Sequence, residues 1–589
     1  MTWVALFLWF IAFSLIGLIG NALLAWIGVE SSQIRCLLSK AGGLAAFTAF
    51  LWIAGYLPGD FLTRMLELAL LAIGSLAAVL YLRRSKASIG ELLRFEMLFA
   101  GLVLAFLIAR GFLPTVTDGE KPMDLMLLSS SMRATHLPPE DAWFARHPVN
   151  YYYYGLFCFG QLGKVVGASP FQTFNFGLAS TWALILMALG AAGGLTTKSW
   201  RGSVLLPAIY ALIGNLGAAA QLWGGGTGEF NWWAPSRTVP AGITEFPAFS
   251  YLFGDFHPHM INHVWLSLFL VLALIYRKQE KPSTLIPFGA LAGIIFATNT
   301  WSMICVLLLA TALLPRSAMT LTKVASATLC FALITVPYVM KGERTIDGLA
   351  LVTQRSSGTG FALHWAILAV GATAALTYVR ESVIPRLILV SLALIALPEF
   401  VYIASGDGLG RTNTLFKFWW DAWLVLAIVS SWGYFALQTS PVKRLVAAVS
   451  LTAGAIYLPL SLPVRFRRFE TWYGIDPATY TFAKYPYLAS PYQRLLTQQP
   501  ASYFEAPGLS YSKDSLLAAF TGIPTMLGWI GHERLWRANS AEFREIQRLA
   551  LIAGRNGVSP ELQQRYQFEF VHLPDPSQGA AKKFTFPTH

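Results

Sequence analysis

Long apolar runs alternate with short polar connectors from the first residue to about Val464. Each run is close to the ~20 residues that an α-helix needs to cross a bilayer, whereas a transmembrane barrel would show alternating segments of roughly 10 residues. The pattern therefore predicts an all-α polytopic membrane protein. We expect fourteen spans, at 3–27, 38–57, 66–82, 92–114, 172–194, 203–222, 260–276, 284–299, 302–315, 323–340, 361–379, 387–403, 417–437 and 442–463.

The pattern changes after Pro463, where Arg, Tyr, Pro and Gln mix with short hydrophobic pieces. Its periodicity predicts a helix near Ser540 to Ala553 and short strands near Gln567 to His572. We therefore expect a three-helix membrane segment at 1–91, a membrane core at 92–463 and a small extramembrane α/β domain at 464–589. Segment 151–169 is apolar but interrupted by glycines and Lys164, so we predict an interfacial or re-entrant helix there.

Lysine and arginine concentrate in alternate connectors, which is the pattern of cytoplasmic loops. These cations are Arg35, Lys40, Arg83, Arg84, Lys86, Lys198, Arg201, Arg277, Lys278, Lys281, Arg316, Lys323, Arg380, Arg386, Lys443 and Arg444. The opposite connectors, 115–171, 223–259, 341–360 and 404–416, are then non-cytoplasmic, and so is the tail. We expect an integral protein of the plasma (inner) membrane.

Composition supports lipid as the main solvent, since 55% of residues are hydrophobic, 12% are charged and mean hydropathy is +0.53. The net charge of +13 is explained by the basic connectors, so we expect the lipid bilayer and no nucleic acid as a partner. Four cysteines are scattered without a CxxC pair, which is typical of small buried hydrophobic side chains.

The loop at 115–150 carries a dense acidic cluster. Asp118, Glu120 and Asp124 fall within seven residues and flank Lys121. Two of these carboxylates could act as a general base and its electrostatic partner, or as metal ligands. The alternative is a solvated loop that simply carries charge.

Four phenols follow this loop, at Tyr151, Tyr152, Tyr153 and Tyr154. Tyrosines at a membrane boundary commonly serve as anchors. They could equally present ring faces and hydroxyls to a sugar.

A second cluster contains Asp255, His257 and His259, which alternate along the chain. Pro258 favours an extended backbone before it, which would point these side chains the same way. A divalent metal site is stereochemically reasonable here, with His263 and Glu245 as further ligand candidates. The alternative is histidines that bond to loop carbonyls and water.

A third cluster, Arg411, Asn413 and Lys417, precedes the thirteenth predicted span. It could bind an anion, with Arg411 holding a phosphate and Lys417 acting as a point charge. Lys417 could instead snorkel to the headgroups, although Asp421 on the same helix favours a polar lining.

In the tail, His532, Glu533 and Arg537 lie among tryptophans. They suggest a surface that binds a polar ligand or docks against the membrane region. The alternative is a structural turn and a capped helix.

Four motifs resemble the multi-spanning YYY family of membrane proteins, which is named after its tyrosine run. They are HPVNYYYYG (147–155), EFPAFSYLFGDFHPH (245–259), RTNTLFKFWW (411–420) and GIPTMLGWIGHERLWR (522–537). At the level of architecture that family is similar to the GT-C glycosyltransferases, which use sugars linked to polyprenyl phosphate and keep an acidic residue in a large external loop. Here this loop follows the fourth predicted span and reads TDGEKPMD, which leaves the base open among Asp118, Glu120 and Asp124.

The resemblance implies a membrane glycosyltransferase that moves a sugar from a polyprenyl-phosphate donor to an acceptor hydroxyl with inversion. The acceptor stays open among lipid, glycan and protein, and a divalent metal ion is the one cofactor that the residues suggest. Two other classes remain as alternatives, a lipid or anionic-solute transporter and a non-catalytic assembly protein. A transporter predicts ionisable residues near the midplane of the membrane and broken helices.

Overall fold

The structure is a computed structural model that describes residues 2–84, 89–224, 229–240, 242–278, 284–342, 346–405, 409–569 and 571–572. Several sequence predictions fall on the remaining residues: the connector cations Lys86 and Lys281, parts of loops 223–259, 341–360 and 404–416, and the end of the tail. They lie outside the described residues.

Helices dominate the described chain up to Arg465. In chain order they are α1 (Thr2–Trp26), α2 (Ser32–Gly55), α3 (Arg64–Arg84), α4 (Ile89–Arg110), α5 (Lys121–Arg133), α6 (Tyr154–Val166), α7 (Pro170–Thr197), α8 (Trp200–Leu212), α9 (Gly217–Trp223), α10 (Pro247–Phe253), α11 (Pro258–Tyr276), α12 (Ile286–Thr298), α13 (Met303–Leu313), α14 (Leu321–Lys341), α15 (Gly358–Tyr378), α16 (Val383–Ala396), α17 (Thr412–Ala436), α18 (Pro441–Ala455) and α19 (Tyr457–Arg465). Two strands, β1 (Ile346–Leu351) and β2 (Val401–Ser405), pair antiparallel.

The tail contains shorter elements. They are α20 (Pro477–Lys484), α21 (Ala489–Gln498), β3 (Phe504–Glu505), α22 (Leu516–Thr521), α23 (Ile530–Trp536), α24 (Ala541–Asn556), α25 (Pro560–Tyr566) and β4 (Val571–His572), with β3 and β4 parallel. The predicted helix near Ser540 to Ala553 corresponds to α24, and the predicted strand segment contains β4.

Ten described helices are long and apolar enough to cross a membrane, or eleven if the bent pair α8 and α9 forms one span. The prediction of an all-α, multi-spanning membrane protein is confirmed, with a lower count than the fourteen spans expected. Two of the predicted spans, 284–299 and 302–315, form the short helices α12 and α13, and each is well below the ~20 residues that a crossing requires. Asn299 separates them with an extended backbone.

The predicted span at 387–403 is wrong in its second half. Helix α16 ends at Ala396, and Val401–Ser405 forms strand β2 against β1. Pro398 cannot continue the helical hydrogen-bond ladder, and the β-branched and aromatic residues that follow suit a paired strand. An apolar run alone did not distinguish these two outcomes.

Serine and proline start several of the spans. Ser169 and Gln172 form a capping box at α7, which has Pro170 in its first turn. Pro258 likewise opens α11, after an extended His257. The extended His257 and Pro258 position the first residues of α11, where the candidate site lies.

Small residues let the spans approach each other closely. A Cβ added at Gly20 of α1 would lie 1.8 Å from the carbonyl oxygen of Ser39 in α2. A Cβ added at Gly433 of α17 would lie 1.8 Å from the carbonyl oxygen of Gly371 in α15. Both contacts require glycine, as in other tightly crossed membrane helices.

Helices α7, α11 and α17 form the centre, and α11 is buried along nearly its whole length. Helix α1 contacts this centre directly, since the indole of Trp9 donates to Ser180 of α7. The indole of Trp52 in α2 donates to the carbonyl of Ile334 in α14. Helix α6 has 13 residues and is buried in the protein, so it is too short to span. A re-entrant segment fits this helix better than an interfacial one.

The tail covers one end of the helical bundle. Backbone amides of Thr525 and Gly528 donate to the carbonyls of Ala142 and Trp143 in the loop after α5. The apolar core of the tail also includes Phe144 from this loop. Loop and tail therefore form one layer at the end where α7 and α11 begin.

Candidate functional site

The acidic loop ends at the start of α5, which carries its side chains into the protein. Asp118 forms ion pairs with Lys121 (2.9 Å) and with Arg465 (3.0 Å). Burial opposes the charge on Asp118, but these two cations and Arg110 outweigh it and hold the pKa of Asp118 below its usual range. Lys121 is buried and its ammonium also lies over the ring of Phe253. Asp118 and Lys121 thus neutralise each other's charge.

Glu120 and Asp124 both approach the same ring nitrogen of His257. Nδ1 of His257 is 3.1 Å from Oδ1 of Asp124 and 3.6 Å from Oε2 of Glu120. Asp124 is fully buried, whereas the Glu120 side chain is 40% exposed. Glu120 is therefore the carboxylate of this pair that an incoming molecule can reach.

The second motif enters this cluster through a short extended segment. Helix α10 ends at Phe253 and is capped by Gly254, which has a left-handed backbone (φ +75°). The chain is extended at His257 before Pro258 starts α11. Asp255 and His259 meet across this turn, with Oδ2 of Asp255 4.0 Å from Nε2 of His259.

Lys417 of α17 completes the cluster. Its Nζ lies 3.4 Å from Nδ1 of His259, and its side chain is buried. The indole of Trp420, one turn later, donates to the carbonyl of His259. Helices α11 and α17 are thereby locked together beside the carboxylates. We name Glu120, Asp124, Asp255, His257, His259 and Lys417 the polar cluster.

Two overlapping groups of side chains in this region have the spacing of a metal site. Asp124, Asp255 and His257 form one group, and Glu245, Asp255 and His259 form the other, with ligand atoms within 4.8 Å of one another in each. Three buried atoms here have no hydrogen-bond partner among the described residues: Oδ2 of Asp124, Oδ1 of Asp255 and Nε2 of His259. Unsatisfied buried carboxylates are costly, and a divalent cation would satisfy them.

The first group suits a metal ion better than the second. Glu245 already bonds to Arg237 (3.3 Å) and Ser250 (2.9 Å), and His259 already faces the Lys417 ammonium. The Lys417 ammonium is in direct contact with the His259 ring, which disfavours a second cation on that ring. Asp124, Asp255 and His257 are the residues that fit a divalent ion.

The electrostatics of the cluster agree with this assignment. Burial and the Glu120 charge raise the pKa of Asp124, and burial and Asp124 raise the pKa of Asp255. Burial and Lys417 lower the pKa of His257 to about 4, so its ring is neutral near pH 7 and retains a lone pair. Partial burial would raise the pKa of Glu120, but contact with His532 and the charges of His257 and Lys417 hold it below its usual range.

Several aromatic side chains lie beside Glu120. The hydroxyl of Tyr151 donates to that of Tyr152 (2.6 Å), and the Tyr151 ring stacks on Trp536 of the tail. The hydroxyl of Tyr511 donates to Glu120 (3.1 Å), and Nε2 of His532 lies 3.9 Å from the same carboxylate. Flat rings next to a reachable carboxylate are suited to a sugar or a similar polar ring.

The tyrosine run divides into two pairs. Tyr151 and Tyr152 face the site, but the Tyr153 hydroxyl pairs with that of Tyr56 (2.9 Å) and the Tyr154 hydroxyl pairs with Thr48 (3.0 Å). The latter two tyrosines are fully buried against α2. Their role as binding residues is not supported by these contacts.

Arg411 and Lys417 of the predicted anion site at 411–417 contact different partners and do not converge on one place. Arg411 is buried and bonds to Glu399 (2.8 Å) and Ser356 (3.2 Å), and its described contacts include no residue of the polar cluster. Asn413 follows it in the first turn of α17. Only Lys417 reaches the cluster, because its position on α17 turns it towards α11.

The residues of the tail motif also contact two different parts of the protein. His532 reaches Glu120, whereas Glu533 and Arg537 form a buried ion pair (3.3 Å) and Arg537 also binds Asp141 (2.8 Å). These contacts attach α23 to the loop after α5. Glu533 and Arg537 are therefore engaged in attaching the tail, and these contacts do not connect them to the polar cluster.

His263 lies one turn below His259 and is not in the ligand groups. Its Nε2 is 3.4 Å from Oδ1 of Asp421, and its Nδ1 is 2.8 Å from the Tyr210 hydroxyl. These residues form a buried polar group within the spans.

Sequence reasoning missed Arg465 and Tyr511. Arg465 begins the basic stretch RFRR directly after the last apolar run, which was a usable signal. Tyr511 lies in a segment without periodicity or a charge pattern, and only its contact with Glu120 gives it a place at the site.

The fold and the site together define a polytopic α-helical membrane protein with carboxylates, histidines and one lysine collected at the ends of its spans. The chain belongs to the family described as uncharacterized membrane protein (DUF2298), whose model matches residues 46–383, more than half of the chain. The matched region contains the acidic loop, the tyrosine run and the Asp255 to His259 motif. No curated protein matches the chain.

Proposed function

We propose that this protein is a membrane glycosyltransferase that moves a sugar from a polyprenyl-phosphate donor to an acceptor hydroxyl at the non-cytoplasmic face. The observation that carries the proposal is the contact of Glu120 with both the His257 motif and the tail residue His532. Segments far apart in the chain thus bring carboxylates, histidines and aromatic rings to one place, which supports the proposal. The resemblance to the YYY family and to GT-C architecture adds the substrate class.

Glu120 is the base in this proposal. Asp118 is held by two cations, and Asp124 is fully enclosed beside His257, whereas Glu120 is partly exposed. Its carboxylate takes the proton of the acceptor hydroxyl, and the acceptor oxygen attacks the anomeric carbon as the bond from that carbon to the phosphate oxygen breaks. The electron pair stays on the lipid phosphate, and the sugar leaves with inverted configuration.

Other residues orient the reactants and balance charge. The rings of Tyr151, Tyr152 and Trp536 provide flat surfaces for the sugar or acceptor. Lys417 places a buried positive charge at the cluster, which favours an anionic leaving group. A divalent ion at Asp124, Asp255 and His257 would act as a Lewis acid on developing negative charge.

The test is sugar transfer by the purified full-length protein, with a panel of polyprenyl-phosphate sugars as donors. Glu120→Gln should lower kcat by about 10²–10⁴-fold, the usual contribution of general-base catalysis. Glu140→Gln is the matched control, because Glu140 is exposed on the same loop. Chelation should lower the rate and added Mn²⁺ should restore it if the metal group is used.

Equal rates in the wild type and Glu120→Gln would remove Glu120 as the base. Absence of transfer with every donor would refute the enzyme proposal.

A transporter is the second candidate, and one observation favours it. His263 of α11 and Asp421 of α17 face each other in the interior of two candidate spans. Ionisable residues at such depth commonly lie on transport routes. Movement of a lipid or anionic solute in proteoliposomes, without sugar transfer, would favour this class over the enzyme. An assembly protein would show neither activity, and Glu120→Gln would leave its partner binding intact.

A further inference from the structure

A cavity of about 250 Å³ lies beside the acidic loop, and none of its described lining residues belongs to the polar cluster. Four cationic side chains line it, from Arg465, Arg467, Lys484 and Lys513. None of them appears in the proposed reaction. The cavity is thus a separate feature with its own charge.

Its charge is strongly positive. Asp118 is the one acidic residue among the described lining residues, and it is already paired with Lys121 and Arg465. The Nε atom of Arg465 is buried and has no hydrogen-bond partner among the described residues. A group of cations without matching carboxylates attracts an anion, and an unsatisfied guanidinium N–H is a ready donor to it.

The position of the cavity indicates a lipid rather than a solute. Arg465 is the last residue of α19, and the lining residue Leu113 lies three residues after the end of α4. Both helices belong to candidate spans, so the cavity opens where the spans end and the headgroups begin. Trp232 and Tyr480 also line it, and the Arg465 guanidinium lies 4.9 Å from the Trp232 ring centre. Such amphipathic rings suit this boundary.

The volume restricts what can enter. Pockets for whole drug-sized ligands have about 300–1,000 Å³, so this cavity accommodates a headgroup and leaves an attached chain in the bilayer. Thr115 and Thr117 add hydroxyls beside the cations. Arginine with lysines and hydroxyls is the usual donor set for a phosphate.

We propose that this cavity binds the phosphate group of a phosphate-bearing membrane lipid through Arg465, Arg467 and Lys484. The choice of an isoprenyl phosphate as that lipid rests on the proposed function. Arg411, which was expected to hold a phosphate, is occupied by Glu399. The cavity at the end of the last span is therefore a lipid-phosphate site that is separate from the polar cluster, where the leaving phosphate lies in the proposed reaction.

The experiment measures binding of farnesyl phosphate to the full-length protein in nanodiscs of neutral lipid, without any sugar donor. Farnesol and inorganic phosphate are the comparison ligands. The test variant is Arg467→Gln with Lys484→Gln, because both side chains are exposed and their loss should leave folding intact. Arg468→Gln is the matched control, since Arg468 is the adjacent exposed arginine and does not line the cavity.

We expect farnesyl phosphate to bind, farnesol to bind at least tenfold more weakly, and the double variant to raise Kd by about tenfold or more, which corresponds to 1.4 kcal/mol. Arg465→Gln should weaken binding further. Equal binding of farnesol would overturn the phosphate assignment. Competition by inorganic phosphate at the same concentration would show a free-anion site, and an equal loss in Arg468→Gln would show general surface charge; each refutes the lipid site.

Failure of this inference and failure of the proposed function give different results. Farnesyl phosphate binding that depends on Arg467 and Lys484, together with no sugar transfer, supports the cavity and refutes the enzyme. Transfer that depends on Glu120, together with farnesyl phosphate binding that is unchanged in the double variant, supports the enzyme and refutes the cavity.

Discussion

Removal of Arg537 tests how the tail is held over the site. Arg537 is 2% exposed, and its guanidinium binds Asp141 (2.8 Å), the carbonyl of Pro148 (2.8 Å) and Glu533 (3.3 Å). Arg537→Met keeps the apolar bulk but leaves two buried carboxylates without their cation. Breaking a buried pair in this way costs about 3–5 kcal/mol.

The assay is hydrogen exchange at the amides of Thr525 and Gly528, which donate to the loop after α5. Exchange of these amides reports local opening of the tail from the loop. A loss of about 3–5 kcal/mol lowers their protection by about a hundredfold to a few thousandfold, at 1.4 kcal/mol for each factor of ten. Arg534→Met is the control, because Arg534 is exposed on the same helix.

The effect should depend on pH in a defined direction. Burial already raises the pKa of Asp141 in the folded protein, against the opposing effect of Arg537. Without Arg537 the pKa of Asp141 rises further. At every pH above the pKa that Asp141 has when the tail is open, ionisation of Asp141 then opposes the docking of the tail on the loop. The loss of protection should therefore be larger at pH 8 than at pH 5. A change of less than about threefold at pH 8, or the same loss in Arg534→Met, would refute this account of the tail.

Two further predictions concern the membrane region. Gly433→Leu should prevent α15 and α17 from packing and yield aggregated protein on size-exclusion chromatography, because its Cβ would lie 1.8 Å from the Gly371 carbonyl oxygen; Gly101→Leu, where no atom lies within 4 Å of the new Cβ, should behave as wild type. Glu399→Gln should lower the thermal midpoint of the purified protein, because the charged hydrogen bond to Arg411 is worth about 1.5–3 kcal/mol. An unchanged midpoint would show that this ion pair contributes nothing measurable.

Much of the fold could be predicted from local patterns. Apolar runs identify the spans because side chains inside the bilayer must be mostly apolar, and such runs form helices because an α-helix makes its backbone hydrogen bonds within the segment. Pro258 and the residues before it predict an extended turn into α11, and the structure has that turn at His257. Pro398 and Glu399 interrupt the apolar run at the end of α16, but the strand that follows could not be predicted, because pairing of Val401–Ser405 with β1 decided that outcome.

The sequence alone determined that this is a multi-spanning membrane protein whose acidic loop, tyrosine run and histidine motif stand apart from the apolar runs. Only the tertiary structure decided which member of each motif meets the others. Lys417 reaches His259 while Arg411 binds Glu399, and His532 reaches Glu120 while Arg537 binds Asp141. Lys417 is six residues after Arg411 and Arg537 is five residues after His532, so the members of each pair point in different directions. The packing of helices from distant parts of the chain sets which neighbours each of them meets.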